Sequence, residues 1–384
     1  MPHSLRSPRL SLRRQKMTKV MNIISDTNIG GAGRVLINYM KYYDSEKYEL
    51  SVVMPKGSKL KEPLTALGAV IYEVDGIGDR SISREGVKEL KKVIKRANPD
   101  IVHTHGALSG RIAGRQCGKK VIYTRHSAFP VPTYLKKGPG RWLNKLVNEH
   151  YADRIIAISN AAAQNLTDSG ISPDLIDTMM NGVEPVARVT GKELAAARRL
   201  CRVADGEFVL GILARIEDYK GHMDILSAVK RLSDEGRKVV LVIAGTGSYE
   251  GEVWAKAQML GLQNVVFLGF VEDVAPVLSV LDLQLNASWG TETSSLSILE
   301  GFSMGLPAIV SDYGGNPSLV DDGVNGYIFP VHDDAALADR IRELMDSPEK
   351  LKKMGEEARK IYLERFTGES FARSIENVYE KVLR

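Results

Sequence analysis

The chain has 384 residues, of which 43% are hydrophobic and 26% charged, and this length predicts two folded domains rather than one. The 52 basic and 47 acidic residues leave a net charge of +5, too small an excess to indicate a nucleic-acid-binding protein. Cys117 and Cys201 stand far apart, which excludes a disulfide framework and a cysteine-rich metal site and favours a reducing compartment.

The chain opens with residues 1–18, which contain several arginines and no apolar run. This pattern predicts a disordered basic tail and not a secretory signal, whose core is an uninterrupted apolar segment. No later stretch is apolar for long enough to cross a bilayer as a helix. We therefore expect a cytoplasmic protein.

Residues 19–185 alternate short apolar runs with longer amphipathic segments, which is typical of a parallel sheet covered by helices. The predicted strands are Lys19–Ser25, Glu49–Met54, Ala69–Tyr72, Ile101–Thr104, Lys120–Thr124 and Arg154–Ile158. The predicted helices are Arg34–Tyr43, Glu85–Ala97, Arg141–Tyr151 and Asn160–Asp168. These elements predict a first Rossmann-like domain.

The alternation pauses over residues 186–206, which predict a linker with one short helical segment, and resumes over residues 207–364. The predicted strands there are Phe208–Leu213, Val239–Ala244, Val265–Leu268, Leu281–Leu285, Ala308–Val310 and Gly326–Phe329. The predicted helices include His222–Glu235, Ser294–Met304, Asp333–Met345, Pro348–Phe366 and Glu369–Leu383. Within residues 365–384, we expect the last helix to pack back toward the first domain.

The expected fold class is therefore α/β, with two doubly wound parallel-sheet domains in tandem. Ligands of such domains bind beyond the carboxyl ends of the strands, where the strand order reverses. With two domains, the natural site is the cleft in which those strand ends face each other.

A glycine-rich loop, Asn28–Arg34, follows the first predicted strand and precedes the first helix. Gly30 and Gly31 let the backbone approach a ligand, and the helix start offers unpaired N–H groups to an anion. The loop lacks the G-x-G-x-x-G spacing, and no acidic residue clearly ends the second strand, so a dinucleotide dehydrogenase is disfavoured. A tight strand–helix turn without a ligand explains the glycines equally well.

Two cations, Arg215 and Lys220, follow the first strand of the second domain. At a strand end before a helix they suit a diphosphate, because arginine grips phosphate oxygens with two donors and lysine adds a point charge. The alternative is a solvated loop in which Arg215 pairs with Glu217 or Asp218.

Two glutamates with seven residues between them, Glu292 and Glu300, form the sharpest motif. If a helix starts near Ser294, Glu292 lies in the loop before it and Glu300 about two turns inside. The hydroxyls of Ser294 and Ser295 and the free N–H groups of the helix start suit phosphate oxygens. Glu292 is then placed to hold sugar hydroxyls and Glu300 a ribose diol. The alternative is one glutamate that caps its helix and one ordinary surface glutamate.

The succession of motifs from Lys19 to the C-terminus resembles the GT-B glycosyltransferases of family four, which retain configuration at the transferred sugar. The motifs that carry the resemblance are Gly30-Gly31, Asp100–Gly106, Arg125–Ser127, Ala157–Ser159, Asn181–Val183, Arg215 with Lys220-Gly221, Ala244–Gly247, Gly269–Val271, the two glutamates and Gly314–Pro317. Two positions depart from the pattern, because Gly301 and Ser318 stand where the family usually has alanine and glutamate.

The resemblance implies that the first domain binds the acceptor and the second domain a nucleotide-sugar donor. Gly30 and Gly31 would close over the phosphates, and Gly269–Val271 would hold the base through its backbone. The implied donor-binding residues are Gly30, Gly31, Arg215, Lys220, Gly245, Gly269, Phe270, Val271, Glu292, Thr293, Ser294, Ser295, Leu296 and Glu300. The residues implied for catalysis are His126, Glu292, Arg215 and Lys220, with His105 and Asn181 on the acceptor side.

The function expected from these residues is transfer of a sugar from a nucleotide-diphosphate donor to an acceptor hydroxyl with retention, in cell-envelope or exopolysaccharide biosynthesis. UDP is taken as the default nucleotide of the donor because it is common in the family. No D-x-D element stands at a strand end and no His/Cys cluster is present, so we expect neither a metal nor another cofactor. The alternatives are a nucleotide-sugar epimerase of the same fold and a non-catalytic nucleotide-sugar-binding protein.

Residues 134–150 combine four cations with apolar residues at helical spacing. Such a basic amphipathic helix suits an anionic membrane surface, and the resemblance implies a lipid-linked acceptor in this region. The acceptor is thus expected to be a sugar or a lipid-linked molecule, with weak contact between the protein and the inner face of the cytoplasmic membrane. The alternative is that Trp142 and its apolar neighbours pack on the first domain.

Overall fold

A computed structural model describes residues 17–78 and 81–384 of the chain. Most of the predicted basic tail therefore lies outside the described residues, and the first strand already begins at Thr18. The described chain forms two sheets of seven and six strands, every pairing of which is parallel. The prediction of two doubly wound α/β domains is confirmed.

The first domain has the strand order β3-β2-β1-β4-β5-β6-β7. Its strands are β1 Thr18–Ile24, β2 Tyr48–Pro55, β3 Val70–Val74, β4 Ile101–His105, β5 Lys120–Arg125, β6 Arg154–Ala157 and β7 Ile176–Thr178. Its helices are α1 Gly31–Tyr42, α2 Lys61–Ala66, α3 Arg84–Ala97, α4 Leu108–Gln116, α5 Thr133–Lys136, α6 Gly138–His150 and α7 Asn160–Asp168. The order reverses between β1 and β4, so the loops after these strands diverge and leave a crevice at the carboxyl edge.

The second domain has the strand order β10-β9-β8-β11-β12-β13 and repeats this plan. Its strands are β8 Phe208–Leu213, β9 Val239–Ala244, β10 Val265–Gly269, β11 Leu283–Asn286, β12 Ala308–Ser311 and β13 Gly326–Phe329. Its helices are α8 Gly191–Leu200, α9 His222–Asp234, α10 Glu250–Met259, α11 Ala275–Val280, α12 Leu296–Ser303, α13 Asp334–Met345 and α14 Pro348–Arg365, and α15 Gly368–Leu383 closes the chain. The reversal between β8 and β11 places a second crevice at the carboxyl edge of this sheet.

The sequence specifies these strands through continuous apolar runs rather than through alternation. All six residues of β9 are buried, because helices cover both faces of a parallel sheet and leave no side for polar residues. The polar exceptions are informative for the same reason. Asn22 in β1 and His103 and His105 in β4 are buried at or near the carboxyl edge of the first sheet.

The predicted linker, residues 186–206, is largely part of the second domain. It contains α8, and Ala197 and Cys201 are buried in one apolar cluster with Val277 and Leu278 of α11. The sequence pattern underestimated this segment because α8 has one apolar edge and a long charged face. The pattern also missed α4 and the short edge strand β7. No helix in the described part of the chain is both long and apolar enough to cross a membrane.

The last helix, α15, returns to the first domain. Phe371, Ile375 and Tyr379 join the apolar cluster that also contains Leu36 and Tyr39 of α1. The chain reaches this position by a close crossing, in which the Val183 amide donates to the Phe366 carbonyl. Both domains are therefore connected at two places in the chain.

We predict that removing the Phe371 side chain will destabilise the first domain. Phe371 is buried on the inner face of α15, so Phe371→Ala should lower the free energy of unfolding by about 3–5 kcal/mol. Leu383→Ala is the matched control, because Leu383 lies on the same helix and is exposed; it should cost no more than about 0.5 kcal/mol. Urea unfolding measures both, and equal effects would show that α15 is not docked as described.

Candidate functional site

The carboxyl edges of the two sheets face each other across a cleft. Thr293 of the second domain donates its hydroxyl to the carbonyl of His126 in the first domain, at 3.2 Å. A second contact joins Arg34 of α1 to Glu300 of α12, with 3.9 Å between Nη1 and Oε1. Residues that the sequence predicted for one site thus lie on both walls of one cleft.

A buried ion pair forms the centre of the wall built by the second domain. Lys220 Nζ lies 2.8 Å from Glu292 Oε2, and both side chains are largely shielded from solvent. Burial by itself would raise the pKa of Glu292. The charge of Lys220 and the hydrogen bonds from Lys220, Asn286 and Ser288 outweigh burial and lower this pKa below its usual value. Glu292 is therefore held as an ionised carboxylate.

A network of buried polar groups supports this carboxylate. Glu292 Oε2 accepts from Asn286 Nδ2 at 3.3 Å and from Ser288 Oγ at 3.0 Å. Beneath them, Asn316 Nδ2 donates to Ser311 Oγ, and that hydroxyl donates to the Ser288 carbonyl. Because each member holds the next, the network fixes the Glu292 side chain in one position.

Close backbone packing explains two of the glycines in the motifs. A Cβ on Gly315 would lie 1.5 Å from the Thr293 carbonyl oxygen, and the Gly315 amide donates to the Glu292 carbonyl. A Cβ on Gly245, at φ +149°, would lie 1.9 Å from the Ala214 carbonyl oxygen. Gly315 thus packs closely against the loop of Glu292, and Gly245 packs closely against the loop of Arg215.

Arg215 lies at the exposed edge of the same wall. Its Nη2 donates to the hydroxyl of Tyr219 at 3.0 Å, and it forms no ion pair with any described residue. The alternative in which Arg215 pairs with Glu217 or Asp218 is not observed. Glu217 instead accepts a hydrogen bond from Ser248. The guanidinium is consequently available to an anion in the cleft.

The helix start next to Glu292 offers unpaired donors. Helix α12 begins at Leu296, two residues later than predicted, so Glu300 is its fifth residue rather than two turns inside. Ser295 occupies the N-cap position, and its side chain makes no capping hydrogen bond. The hydroxyl of Ser294 is buried and has no partner among the described residues. Backbone N–H groups at such a start attract anions.

Glu300 lines a cavity of about 300 Å³ between the two domains. Burial raises the pKa of Glu300, and the positive charge of Arg34 opposes this shift. The cavity is also lined by Ile29 at the end of the glycine-rich loop and by Glu272. Gly30 and Gly31 are exposed at this loop, where Gly30 is the N-cap of α1.

Three stacked imidazoles form the opposite wall. The rings of His103 and His105 have centroids 4.5 Å apart, and those of His105 and His126 are 5.2 Å apart. His103 bonds to the Tyr379 hydroxyl of α15 and to Thr124, while His105 bonds to His126 and Asn22. The imidazoles therefore link the last helix to the cleft.

Burial keeps these imidazoles neutral at physiological pH. It lowers the pKa of His103 to about 3 and that of His126 to about 4, and it holds the pKa of His105 well below the usual value. The Oδ1 of Asn22, 3.1 Å from His105 Nε2, is an acceptor, so His105 Nε2 carries the proton. His105 Nδ1 then accepts from His126 Nε2 at 2.9 Å. His126 Nδ1, which is buried and has no partner among the described residues, is left as an unpaired acceptor.

The remaining predicted residues are Asn181, Gly269, Phe270, Val271 and Leu296. Asn181 is buried in the crossing segment before Val183, and its Oδ1 has no partner among the described residues. Gly269 accepts from the Gly245 amide, whereas the Phe270 side chain is exposed and Val271 is partly buried. Leu296 packs against apolar clusters of both domains. None of these observations tests the predicted roles of these residues.

Sequence reasoning missed several residues that build the site. Asn22, Asn286 and Ser288 were not singled out, although each is a polar residue in or directly after an apolar strand. A buried strand tolerates a polar residue only when that residue is hydrogen-bonded. A polar residue within or just after an apolar run is therefore the sequence signal that could have identified all three. The described residues contain no group of three or more His, Cys, Asp or Glu that could hold a metal ion.

Three apolar residues of helix α6 do not pack into the first domain, whereas Val147 is partly buried. None of its residues is buried, and Trp142, Leu143 and Leu146 are 63%, 57% and 43% exposed. The alternative in which Trp142 and these neighbours pack on the first domain is therefore wrong. Asn144 and Asn148 instead attach the helix through hydrogen bonds to Ser169 and Arg111.

Comparison with known proteins gives consistent matches along both domains. Residues 29–186 match the family Glycosyltransferase Family 4, and residues 198–361 match Glycosyl transferases group 1. Over 307 residues the chain is 31% identical to EpsD of Bacillus subtilis (strain 168), which is named as a glycosyltransferase; the match covers 76% of this chain and 78% of EpsD. The chain is also 28% identical over 307 residues to N-acetyl-alpha-D-glucosaminyl L-malate synthase of Bacillus anthracis. This match covers 77% of this chain and 78% of the synthase.

The fold is also similar to a solved structure that contains a nucleotide. Anabaena HepE in complex with UDP superimposes with a TM-score of 0.82 at 20% sequence identity, covering 95% of this chain and 100% of HepE. At this level of identity the similarity concerns the fold.

We predict that the buried imidazoles make the protein less stable in acid. An unfolded histidine takes up a proton below about pH 6.5, whereas His103 with its pKa of about 3 does not. Stability is therefore fully present above pH 6.5 and falls as the pH falls toward 3. Between pH 7 and 5, His103 alone should account for a loss of about 2 kcal/mol.

Urea unfolding of the wild type and of His103→Gln at both pH values measures this loss. The free energy of unfolding of the variant should fall by about 2 kcal/mol less than that of the wild type. His150→Gln, which removes an exposed imidazole, is the control. An identical pH dependence in wild type and His103→Gln would contradict the buried neutral state.

Proposed function

The chain belongs to the group 1 glycosyl transferases, and from this premise we propose that it transfers a sugar from a nucleoside diphosphate to an acceptor hydroxyl with retention of configuration. The observation that carries the site assignment is the buried pair of Lys220 and Glu292 beside Arg215 and the start of α12. This arrangement places cationic groups, backbone donors and one ionised carboxylate within a single wall of the cleft.

In the proposed reaction, the cationic groups stabilise the leaving diphosphate. Negative charge builds on the phosphate oxygen as the bond to the sugar breaks. Lys220, Arg215 and the N–H groups at the start of α12 are fixed before the reaction, and preorganised donors of this kind supply the largest usual contribution to catalysis. These positive groups also provide charge stabilisation that a metal ion would otherwise supply, which supports a metal-independent reaction.

Glu292 is proposed to hold the hydroxyls of the donor sugar. Its Oε2 already accepts from Lys220, Asn286 and Ser288, so this oxygen is poorly suited to attack carbon. The same contacts make the carboxylate a fixed acceptor. We therefore favour same-face transfer, in which the departing phosphate oxygen takes the acceptor proton, over double displacement through Glu292.

The nucleoside is proposed to occupy the cavity next to Glu300. A carboxylate at this position suits the two hydroxyls of a ribose, and the backbone of Gly269–Val271 suits the base. Anabaena HepE, of the same fold, binds UDP, which supports uridine as the nucleoside. In this proposal Gly30 and Gly31 approach the phosphates from the first domain.

His126 is proposed to accept a hydrogen bond from the transferred sugar. Its Nδ1 is free, its ring is held neutral by burial, and its carbonyl is tied to Thr293, two positions from Ser295 at the helix start. The hydrogen bond from His126 Nε2 to His105 Nδ1 fixes the tautomer of His126. A neutral acceptor here orients a hydroxyl without placing a second positive charge near the electron-poor carbon of the transition state.

The acceptor is proposed to be a lipid-linked precursor of a cell-envelope polysaccharide or exopolysaccharide. Helix α6 exposes Trp142, Leu143 and Leu146, and Arg141 and Lys145 on the same helix are also exposed. This combination suits the interface of an anionic membrane. The protein would then act at the inner face of the cytoplasmic membrane.

We predict that the charged pair of Lys220 and Glu292 is needed for turnover beyond its structural role. Lys220→Met leaves Glu292 buried without its partner, which should lower the free energy of unfolding by about 3–5 kcal/mol. The double variant Lys220→Met/Glu292→Gln should recover most of this stability, because no unpaired charge remains. Its kcat for UDP-sugar transfer, assayed with EDTA present, should still be at least about 100-fold below that of the wild type.

Lys230→Met is the matched control, because Lys230 lies on the neighbouring helix α9, pairs with Asp234 on the surface and is remote from the cleft. It should change neither stability nor kcat appreciably. Near-wild-type turnover in the stable double variant would rule out Lys220 as a diphosphate-binding group, and loss of wild-type turnover in EDTA would rule out metal independence.

We predict that α6 mediates binding to anionic membranes. Wild-type protein should cosediment with vesicles containing phosphatidylglycerol at low salt and should be released by high salt, because screening weakens the basic contribution. Trp142→Ser/Leu143→Ser should abolish most of this binding. Trp254→Ser is the control, since Trp254 on α10 of the second domain is also largely exposed. Failure of the wild type to bind these vesicles would remove the membrane from the proposal.

A further inference from the structure

A second cavity, of about 380 Å³, lies within the first domain beside the cleft. It is enclosed by α4, the end of β5, α6, α7 and the loop of residues 127–132. Its described lining residues include Arg111 and Arg125 and no aspartate or glutamate. The residue directly after Arg125 is His126, so one lining residue of the cavity is the chain neighbour of a residue in the proposed sugar site.

Arg111 is the most unusual residue of this cavity. It is only 6% exposed, and its guanidinium lies 4.1 Å from the centroid of the Tyr123 ring. Nη1 donates to Asn148 Oδ1 at 2.7 Å, whereas Nε is buried without a partner. Among the described residues, no carboxylate forms an ion pair with Arg111.

The buried guanidinium has only neutral groups to compensate for the loss of water, namely Asn148 and the Tyr123 ring. Taking a charge out of water is costly unless an opposite charge and hydrogen bonds compensate for it. Burial lowers the pKa of Arg111; Tyr123 opposes this shift, and the positive charge of nearby Arg125 adds to it. A guanidinium kept buried without a carboxylate partner is typical of a residue retained for a ligand.

Arg125 adds a second uncompensated charge to the same cavity. Its Nε donates to the Ser127 carbonyl and its Nη2 to Asn165 Oδ1, both of which are neutral. The two guanidiniums thus present two positive charges without a carboxylate from the described lining. A phosphoryl group carries a charge of about −1.5 to −2 at neutral pH in one compact unit, and arginine matches its oxygens with paired donors.

We propose that this cavity binds a phosphoryl group of the acceptor, held by Arg111 and Arg125 next to the sugar site. The proposal rests on the proposed transferase function, because it places the acceptor on the first domain. The cation–π contact with Tyr123 and the bond to Asn148 orient Arg111 so that its remaining donors serve the ligand. The phosphoryl group belongs either to a soluble sugar phosphate or to a lipid phosphate whose chain continues toward α6.

Thermal unfolding of the full chain with inorganic phosphate tests this site. Phosphate should raise the Tm of the wild type in a saturable way, because a ligand that binds only the folded state stabilises it. Arg111→Met should weaken phosphate binding about 10- to 100-fold, the loss expected for a charge-assisted hydrogen bond. Without phosphate, this variant should have an unchanged or higher Tm. A fall in its Tm would indicate a structural role and count against the proposal.

Two controls separate this cavity from the donor site. The variant Lys220→Met/Glu292→Gln should retain the Tm shift caused by phosphate, whereas loss of the shift there and its retention in Arg111→Met would overturn the proposal. L-malate, which spreads the same charge over two separate carboxylates, should produce a smaller shift than phosphate, and a larger one would likewise contradict it. Arg111→Lys should bind phosphate with intermediate affinity, because lysine keeps the positive charge but lacks the paired N–H donors of the guanidinium.

Two phosphoryl compounds identify the source of the group. Glucose 1-phosphate represents a soluble acceptor and decyl phosphate a lipid acceptor, and Arg111→Met should weaken whichever of them binds the wild type more tightly. Binding of UDP is measured in parallel and should be unchanged in Arg111→Met. If UDP binds and no phosphoryl compound does, the acceptor proposal fails alone; if UDP also fails, the proposed function fails with it.

Discussion

The ion pair between Lys220 and Glu292 is the interaction on which the donor wall depends. Two opposite charges taken out of water must remain together and hydrogen-bonded, since either one alone would be strongly destabilising. Asn286 and Ser288 supply the additional hydrogen bonds, and Gly315 lets a neighbouring loop pack against the backbone of the Glu292 segment. The result is a fixed carboxylate and a fixed ammonium group at the point where the strand order of the second sheet reverses.

Apart from the Arg34–Glu300 contact, the first domain faces this wall with neutral imidazoles. His103, His105 and His126 form one stack of imidazoles, and His103 at its inner end bonds to Tyr379 of the last helix. The backbone carbonyl of His126, at the outer end, accepts a hydrogen bond from Thr293 across the cleft. Burial suppresses protonation along the whole stack, so its contribution is orientation rather than charge. The last helix therefore supports the cleft as well as closing the core of the first domain.

The sequence was sufficient to predict the sheets but not the contacts within the cleft. Continuous apolar runs such as Val239–Ala244 identify buried parallel strands directly, because few other elements tolerate them. The ion pair of Lys220 and Glu292 joins residues 72 positions apart, and no local pattern records such a distance. Arg111 was missed because an arginine in an amphipathic helix reads as solvent-exposed, and only the packing of α6 and Tyr123 buries it.

The most direct measurement is a crystal structure of the chain with UDP bound. The diphosphate should lie within hydrogen-bonding distance of Lys220 Nζ, the Arg215 guanidinium and the backbone N–H groups at the start of α12, with the ribose hydroxyls against Glu300. A nucleotide found outside the cleft, or a diphosphate with no contact to Lys220 and Arg215, would contradict the assignment of this wall as the donor site.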